Sequence, residues 1–205
     1  MNTDWLLAFI TFAFATAGTP GPNNAIIAAA AANYGLRRAL PGIFGISLGF
    51  AFMIAAAGLG LGGLFQAHPG LTFWLRLPAT AFMLWLAWKI ATARPVTKNP
   101  GHEDRSRGKP PGFFQMAAFQ WVNPKGWAMV LSMMGVFAGH NAGFTHDMLL
   151  MAALFAVIGT ITAASWALVG LYAGRLLNTR QLVWFNRAMA ALLVASLILV
   201  WTWRA

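Results

Sequence analysis

The chain has 205 residues, 59% hydrophobic and 9% charged, with a formal net charge of +10 and no cysteine. A water-soluble domain carries roughly a quarter charged residues, so the composition excludes one and indicates a polytopic helical membrane protein. The missing cysteine excludes disulfides, thiolate metal sites and dithiol chemistry.

Six apolar runs lie at about 5–32, 39–65, 71–93, 113–138, 147–174 and 183–203. Each reaches the ~20 residues that a spanning helix needs. The expected fold class is all-α: a single transmembrane domain over 1–205 with six transmembrane helices, the first and fourth broken. It divides into three-helix repeats 1–93 and 113–205, joined by a solvated cytoplasmic loop at 94–112. Charge placement rejects a nucleic-acid partner and sets a topology instead. Arg37 and Arg38 fall between runs one and two; Lys89, Arg94, Lys98, Arg105, Arg107 and Lys109 follow run three; Arg175, Arg180 and Arg187 surround the linker before run six. The alternate linkers, 66–70 and 139–146, hold no Lys or Arg. The positive-inside rule then places both termini outside, with Arg76 and Arg204 as exceptions. The first basic residue is Arg37, so the N-terminus lacks a signal peptide's basic leader, although Ala15-Thr16-Ala17 imitates a cleavage site.

Run one contains Thr19-Pro20-Gly21-Pro22-Asn23-Asn24. Its prolines remove backbone donors and break the helix, with Pro22 suited to the first turn of a second half-helix and Thr19 a nearby cap. In lipid a broken backbone is tolerated only where protein or a wet cavity satisfies it. A packed kink is the plain alternative; Asn23 and Asn24 favour a binding site.

Run two carries Gly45 and Gly49, a spacing at which another helix approaches closely, and Ser47 as its one candidate cavity-lining side chain. Run three follows an outer turn at His68-Pro69-Gly70. Trp5, Trp74, Trp88, Trp184, Trp201 and Trp203 suit interface anchoring. Run four holds Gln115 and Gln120, then Asn123-Pro124-Lys125, where Asn123 caps and Pro124 opens a second half-helix. Lys125 lies about 13 residues into the run, about 20 Å along a helix, and is a functional candidate against the plainer reading of snorkelling. His140, His146 and Asp147 stand at the outer mouth of run five, the histidines as surface residues. Gln120, Thr160, Thr162 and Ser165 are further candidate cavity-lining residues, although hydroxyls also bond back to their own helix. Gly170 and Gly174 repeat the close-contact spacing.

The two breaks are three runs apart, so their helices run in opposite senses and their second halves start facing each other at the midplane. Two helix N-termini and Lys125 favour a carboxylate. The freed carbonyls accept from an ammonium, so a zwitterionic amino acid matches both. The candidate substrate-binding residues are Thr19, Pro20, Gly21, Pro22, Asn23, Asn24, Asn123, Pro124 and Lys125. The acids Asp4, Glu103, Asp104 and Asp147 all lie off the path, which disfavours a cation or metal transporter. No His lies in a run, which removes hydrolase chemistry. No metal, cofactor or catalytic residue is called for. A non-transporting scaffold stays open, and so does a homo-oligomer, because small-residue faces pack equally within and between chains.

The two signatures, Thr19-Pro20-Gly21-Pro22-Asn23 and Asn123-Pro124-Lys125, resemble those of the lysine exporter and homoserine/threonine efflux superfamily, the LysE/RhtB-type exporters. Leu86-Ala87-Trp88-Lys89-Ile90-Ala91-Thr92, Ile158-Gly159-Thr160 and Trp166-Ala167-Leu168 look most like its cysteine/O-acetylserine branch. The last run departs from the usual pattern, reading Arg187-Ala188-Met189-Ala190 where many members show a glycine after the Arg. The resemblance implies secondary active efflux of a small neutral amino acid, cysteine/O-acetylserine or threonine/homoserine, across a bacterial plasma membrane. It also implies drive from the proton motive force, as in an antiporter. The expected partners are that amino acid, protons and the lipid bilayer. Lys125 is the expected titrating group, with Asp147 and the outer histidines as the fallback.

Overall fold

The computed structural model describes residues 3–61, 69–93, 109–141 and 143–202. Within them the chain is helical, with no strand. The helices are α1 (Thr3–Gly18), α2 (Pro22–Tyr34), α3 (Leu36–Ala56), α4 (Pro69–Ala91), α5 (Phe113–Val122), α6 (Pro124–Val136), α7 (Phe144–Leu176) and α8 (Thr179–Thr202), with a π-helical turn at Ala57–Leu61. Three stretches, Leu36–Gly60, Phe144–Leu176 and Thr179–Ile198, are long and apolar enough to cross a membrane; Thr3–Gly18 and Thr80–Ala91 are shorter apolar helices. Most of the expected cytoplasmic loop, the expected turn residue His68, and Trp203 lie outside the described residues.

Both expected breaks are present. The first separates α1 from α2 at residues 19–21, and the second separates α5 from α6 at Asn123. The second is capped as its sequence predicts: Asn123 accepts from the backbone N–H of Lys125 at 3.1 Å and Pro124 opens the helix. The first is not capped by Thr19. Gly21 holds the cap position without a side-chain bond, because the Thr19 hydroxyl turns back to donate to Thr16 O at 2.8 Å.

Three further expectations change. The basic segment between runs one and two is not a linker: Gly35 alone joins α2 to α3, and exposed Arg37 and Arg38 form the first turn of α3. Gly35 has φ 83°, a region that a side chain rarely adopts, so the chain reverses at one residue. Trp5 is no lipid anchor. It is buried, stacks on Phe9 and donates its indole N–H to Phe137 O at 2.9 Å. The last helix starts earlier than expected, at Thr179, behind a reciprocal cap in which Asn178 and Gln181 bond each other's backbone N–H at 3.0 and 2.9 Å. Its Met189 and Ala190 are buried in the core.

Helix α7 is the spine. At 33 residues it is about 50 Å long and packs against α1, α2 and α3. The glycine stripes make these contacts possible. A Cβ at Gly49 would stand 2.5 Å from the Ala117 Cα of α5, and at Gly170 or Gly174 it would strike the carbonyl oxygens of Ala28 or Ala32 in α2. Two apolar clusters result. One gathers α2, the first half of α3, α4, α5 and α8 around Ala163 and Ala167; the other gathers α1, the end of α3, α6 and the first half of α7.

The contacts at Gly174 and a bond between Asn33 and Asn186 place Arg37, Arg38, Arg175, Arg180 and Arg187 at one end of the bundle. At the opposite end the fully buried Asp147 accepts from the backbone N–H groups of His140 and Asn141 at 2.8 and 3.0 Å, while both histidines are exposed.

Gly170→Val forces α7 off α2. It is expected to lower stability by about 1–3 kcal/mol or prevent folding. Gly135→Ala, with nothing within 4 Å of the added Cβ, is expected to leave the protein as stable or slightly more so. Melting of the detergent-purified variants checks both.

Candidate functional site

Breaking α1 at Gly18 leaves the carbonyls of its last turn without helical donors. Thr19 serves two of them, its N–H going to Ala15 O and its hydroxyl to Thr16 O, and three side chains from three helices serve the others and Thr19 O. Asn24 of α2 donates its amide to Ala17 O and Thr19 O, both at 2.8 Å. Trp166 of α7 donates its indole N–H to Gly18 O at 3.1 Å. Lys125 of α6 donates its ammonium to Thr19 O and Thr19 Oγ1, each at 2.8 Å. The carbonyls that sequence reasoning offers to a substrate ammonium are therefore already engaged by protein.

A second polar tie joins the breaks. Asn23 and the fully buried Gln120 exchange amide bonds of 2.9 and 3.1 Å, and Gln120 also donates to Met116 O at 2.8 Å. Every donor and acceptor of such a pair must be met when it is dry, so the tie sets the spacing of α2 and α5.

Between the breaks lies a cavity of about 40 Å³. Gly21, Pro22, Asn23 and Asn24 line it from the first break, and Asn123, Lys125 and Gly126 from the second. The remaining wall is apolar, made chiefly by Phe50, Met129 and Phe155, with Phe50 and Phe155 ring centroids 4.5 Å apart. Its lining draws on both apolar clusters, so it sits in the seam between them. Among the described residues Lys125 is its one titratable lining residue, and no carboxylate lines it.

The other candidates fall elsewhere. Thr162 lines the cavity, but Ser47, Gln120, Thr160 and Ser165 do not. The Ser47 hydroxyl donates to Ile43 O at 3.0 Å and accepts from Thr160 at 2.9 Å, tying α3 to α7. Ser165 is exposed and bonds back to Ile161 O. Thr19, Pro20 and Pro124 are also off the lining, with Thr19 and Pro20 exposed beside it. Sequence reasoning missed the aromatic and Met wall and the role of Trp166. In a uniformly apolar helix no periodic signal marks the side that faces a cavity.

Two interrupted helices closing on a polar hollow, inside a bundle with apolar outer faces, define a membrane transport protein rather than an enzyme. The chain belongs to the LysE type translocator family, whose model matches residues 14–201. It is 34% identical over 197 residues to a cysteine/O-acetylserine efflux protein of Klebsiella pneumoniae, covering 95% of each chain. It is equally similar to the cysteine/O-acetylserine efflux protein of Escherichia coli K12, at 34% over 95% of this chain and 96% of that one. The protein of the same description from Salmonella typhimurium is 34% identical over 80% of this chain and 82% of its own. No solved structure matches the chain.

Trp166→Phe keeps an aromatic ring, smaller than the indole, and removes the donor to Gly18 O. It is expected to lower stability by about 1 kcal/mol for the part-buried hydrogen bond, with some lost packing besides. Trp184→Phe, at an exposed position, is expected to change little, as melting in detergent will show.

Proposed function

We propose that the protein is a secondary exporter of small neutral amino acids, built as six membrane spans in two inverted three-helix repeats, with α1–α2 and α5–α6 as the broken spans. The observation that carries this is the cavity that both breaks line, with Lys125 and three asparagines at its wall and, among the described residues, no carboxylate. A substrate carboxylate is drawn to Lys125 and to the first turn of α2, whose N–H groups have no side-chain cap. The uncharged wall of Phe50, Met129 and Phe155 suits a short neutral side chain. Family membership and full-length likeness to efflux proteins support amino-acid export; cysteine and O-acetylserine are the first substrates to test.

In this reading the basic end of the bundle faces the cytoplasm and both termini lie outside. The breaks meet near the midplane, and alternating access rocks one repeat against the other. Trp88 and Trp184 are exposed near the basic end, and Lys89 and Arg187 lie over the rings of Trp85 and Trp184 at 4.5 and 5.2 Å, which suits an interface beside headgroups. Proton coupling is assigned to Lys125, as the one titratable group among the described residues of the cavity wall.

Vesicles loaded with labelled cysteine or O-acetylserine test the proposal. Asn123→Ala and Lys125→Ala are expected to cut export by at least about tenfold to a hundredfold, the worth of a charged hydrogen bond, with the protein still inserted. Normal export in both variants refutes the site, and transport of neither substrate nor any other amino acid by the unsubstituted chain returns the scaffold reading. Export that persists in Lys125→Gln and still answers to an imposed pH gradient removes Lys125 from the coupling step.

A further inference from the structure

Among the described residues no carboxylate holds Lys125. Its ammonium crosses from the second break to the first and rests on two neutral oxygens of Thr19, the carbonyl and Oγ1, each at 2.8 Å. The residue it passes is shaped for this. A Cβ at Gly21 would stand 2.9 Å from Lys125 Cδ and 3.1 Å from its Nζ, so any other residue there would make the end of the lysine shift. The Thr19 hydroxyl is oriented for it too, since its proton goes to Thr16 O and its lone pairs are left for the ammonium. The two breaks are thus clasped by an ammonium resting on neutral oxygens at a helix end, which is what a carrier needs for the amino group of a zwitterion.

We propose that Lys125 is a tethered occupant of the seat meant for the substrate's ammonium: the incoming amino acid takes Thr19 with its own amino group and draws Lys125 away to its carboxylate. This rests on the reading of the cavity as an amino-acid site. Two ammonium groups compete for Thr19, because like charges about 4 Å apart repel and the seat offers only two oxygens. The exchange therefore works only for a ligand that brings both charges. A bare amine finds the seat filled. A bare acid must pull Lys125 from Thr19, leaving Thr19 Oγ1 without the ammonium and the carbonyl with Asn24 alone. Selection of the zwitterion then comes from competition with the protein's own side chain.

The cavity's size fits the same account. At about 40 Å³ it has room on the scale of a few waters and not of an amino acid. Among the described residues the one cation joining the breaks there is the one the substrate would displace, so release of the clasp and widening of the hollow are a single event. Substrate entry is thereby tied to separation of α6 from the end of α1.

Equilibrium binding of labelled ethylamine, propionate and O-acetylserine to the detergent-purified full chain tests this. Lys125→Gln is expected to lose O-acetylserine binding and yet to bind ethylamine about tenfold more tightly than the unsubstituted chain, the gain from removing one like charge. Thr19→Val, which loosens the clasp and keeps Lys125, is expected to bind propionate more tightly than the unsubstituted chain. Lys125→Met repeats the amine comparison if the Gln variant fails to insert. Equal ethylamine binding with and without the Lys125 charge overturns the shared seat, whatever the chain exports. If the unsubstituted chain binds no O-acetylserine while the amine gain is still seen, the amino-acid reading fails and the shared seat stands.

Discussion

An interrupted helix inside an apolar bundle has to find donors for the carbonyls it sets free. That requirement organises this protein. Ala17 O, Gly18 O and Thr19 O are met by Asn24, Trp166 and Lys125, which come from α2, α7 and α6. Each donor pins a different helix to the same break, so satisfying three oxygens also decides which helices converge there. In water, solvent would do this work and the break would carry no tertiary information; in lipid it dictates the neighbours.

Packing is arranged around that point. The apolar core is divided into two clusters, and the seam between them runs at the level of the breaks. Helix α7 passes through both, with Phe155 and Ile158 in one and Ala163 and Ala167 in the other. Its glycines let α2 lie against it backbone to backbone on the basic side of the seam, where Gly170 and Gly174 meet Ala28 and Ala32.

Much of this was legible in the residues because proline, glycine and capping asparagine act locally. Pro22 and Pro124 mark the breaks, Asn123 its own cap, and Gly49, Gly170 and Gly174 the close approaches, all as their chemistry dictates. What was hidden is what depends on a partner far away in sequence. Thr19 reads as a cap until Lys125 is seen to claim it from 106 residues away. Trp5 reads as an interface residue until Phe137 covers it. Asn33 and Asn186, which are 153 residues apart, form a buried reciprocal pair that neither position announces. The wall of Phe50, Met129 and Phe155 is silent for a further reason. In a helix bathed in lipid both the inner and outer faces are apolar, so no contrast separates them.

The fixings of α2 are unequal at its two ends. At the basic end the Asn33–Asn186 amide pair, at 2.8 and 2.9 Å, bolts it to α8, and Gly35 alone connects it onward. At the other end Asn23 pairs with Gln120 of α5, and Asn24 reaches back to the end of α1. One amide pair thus ties α2 to α8 beside the arginines, and the other ties to α5 the proline tip that lines the hollow.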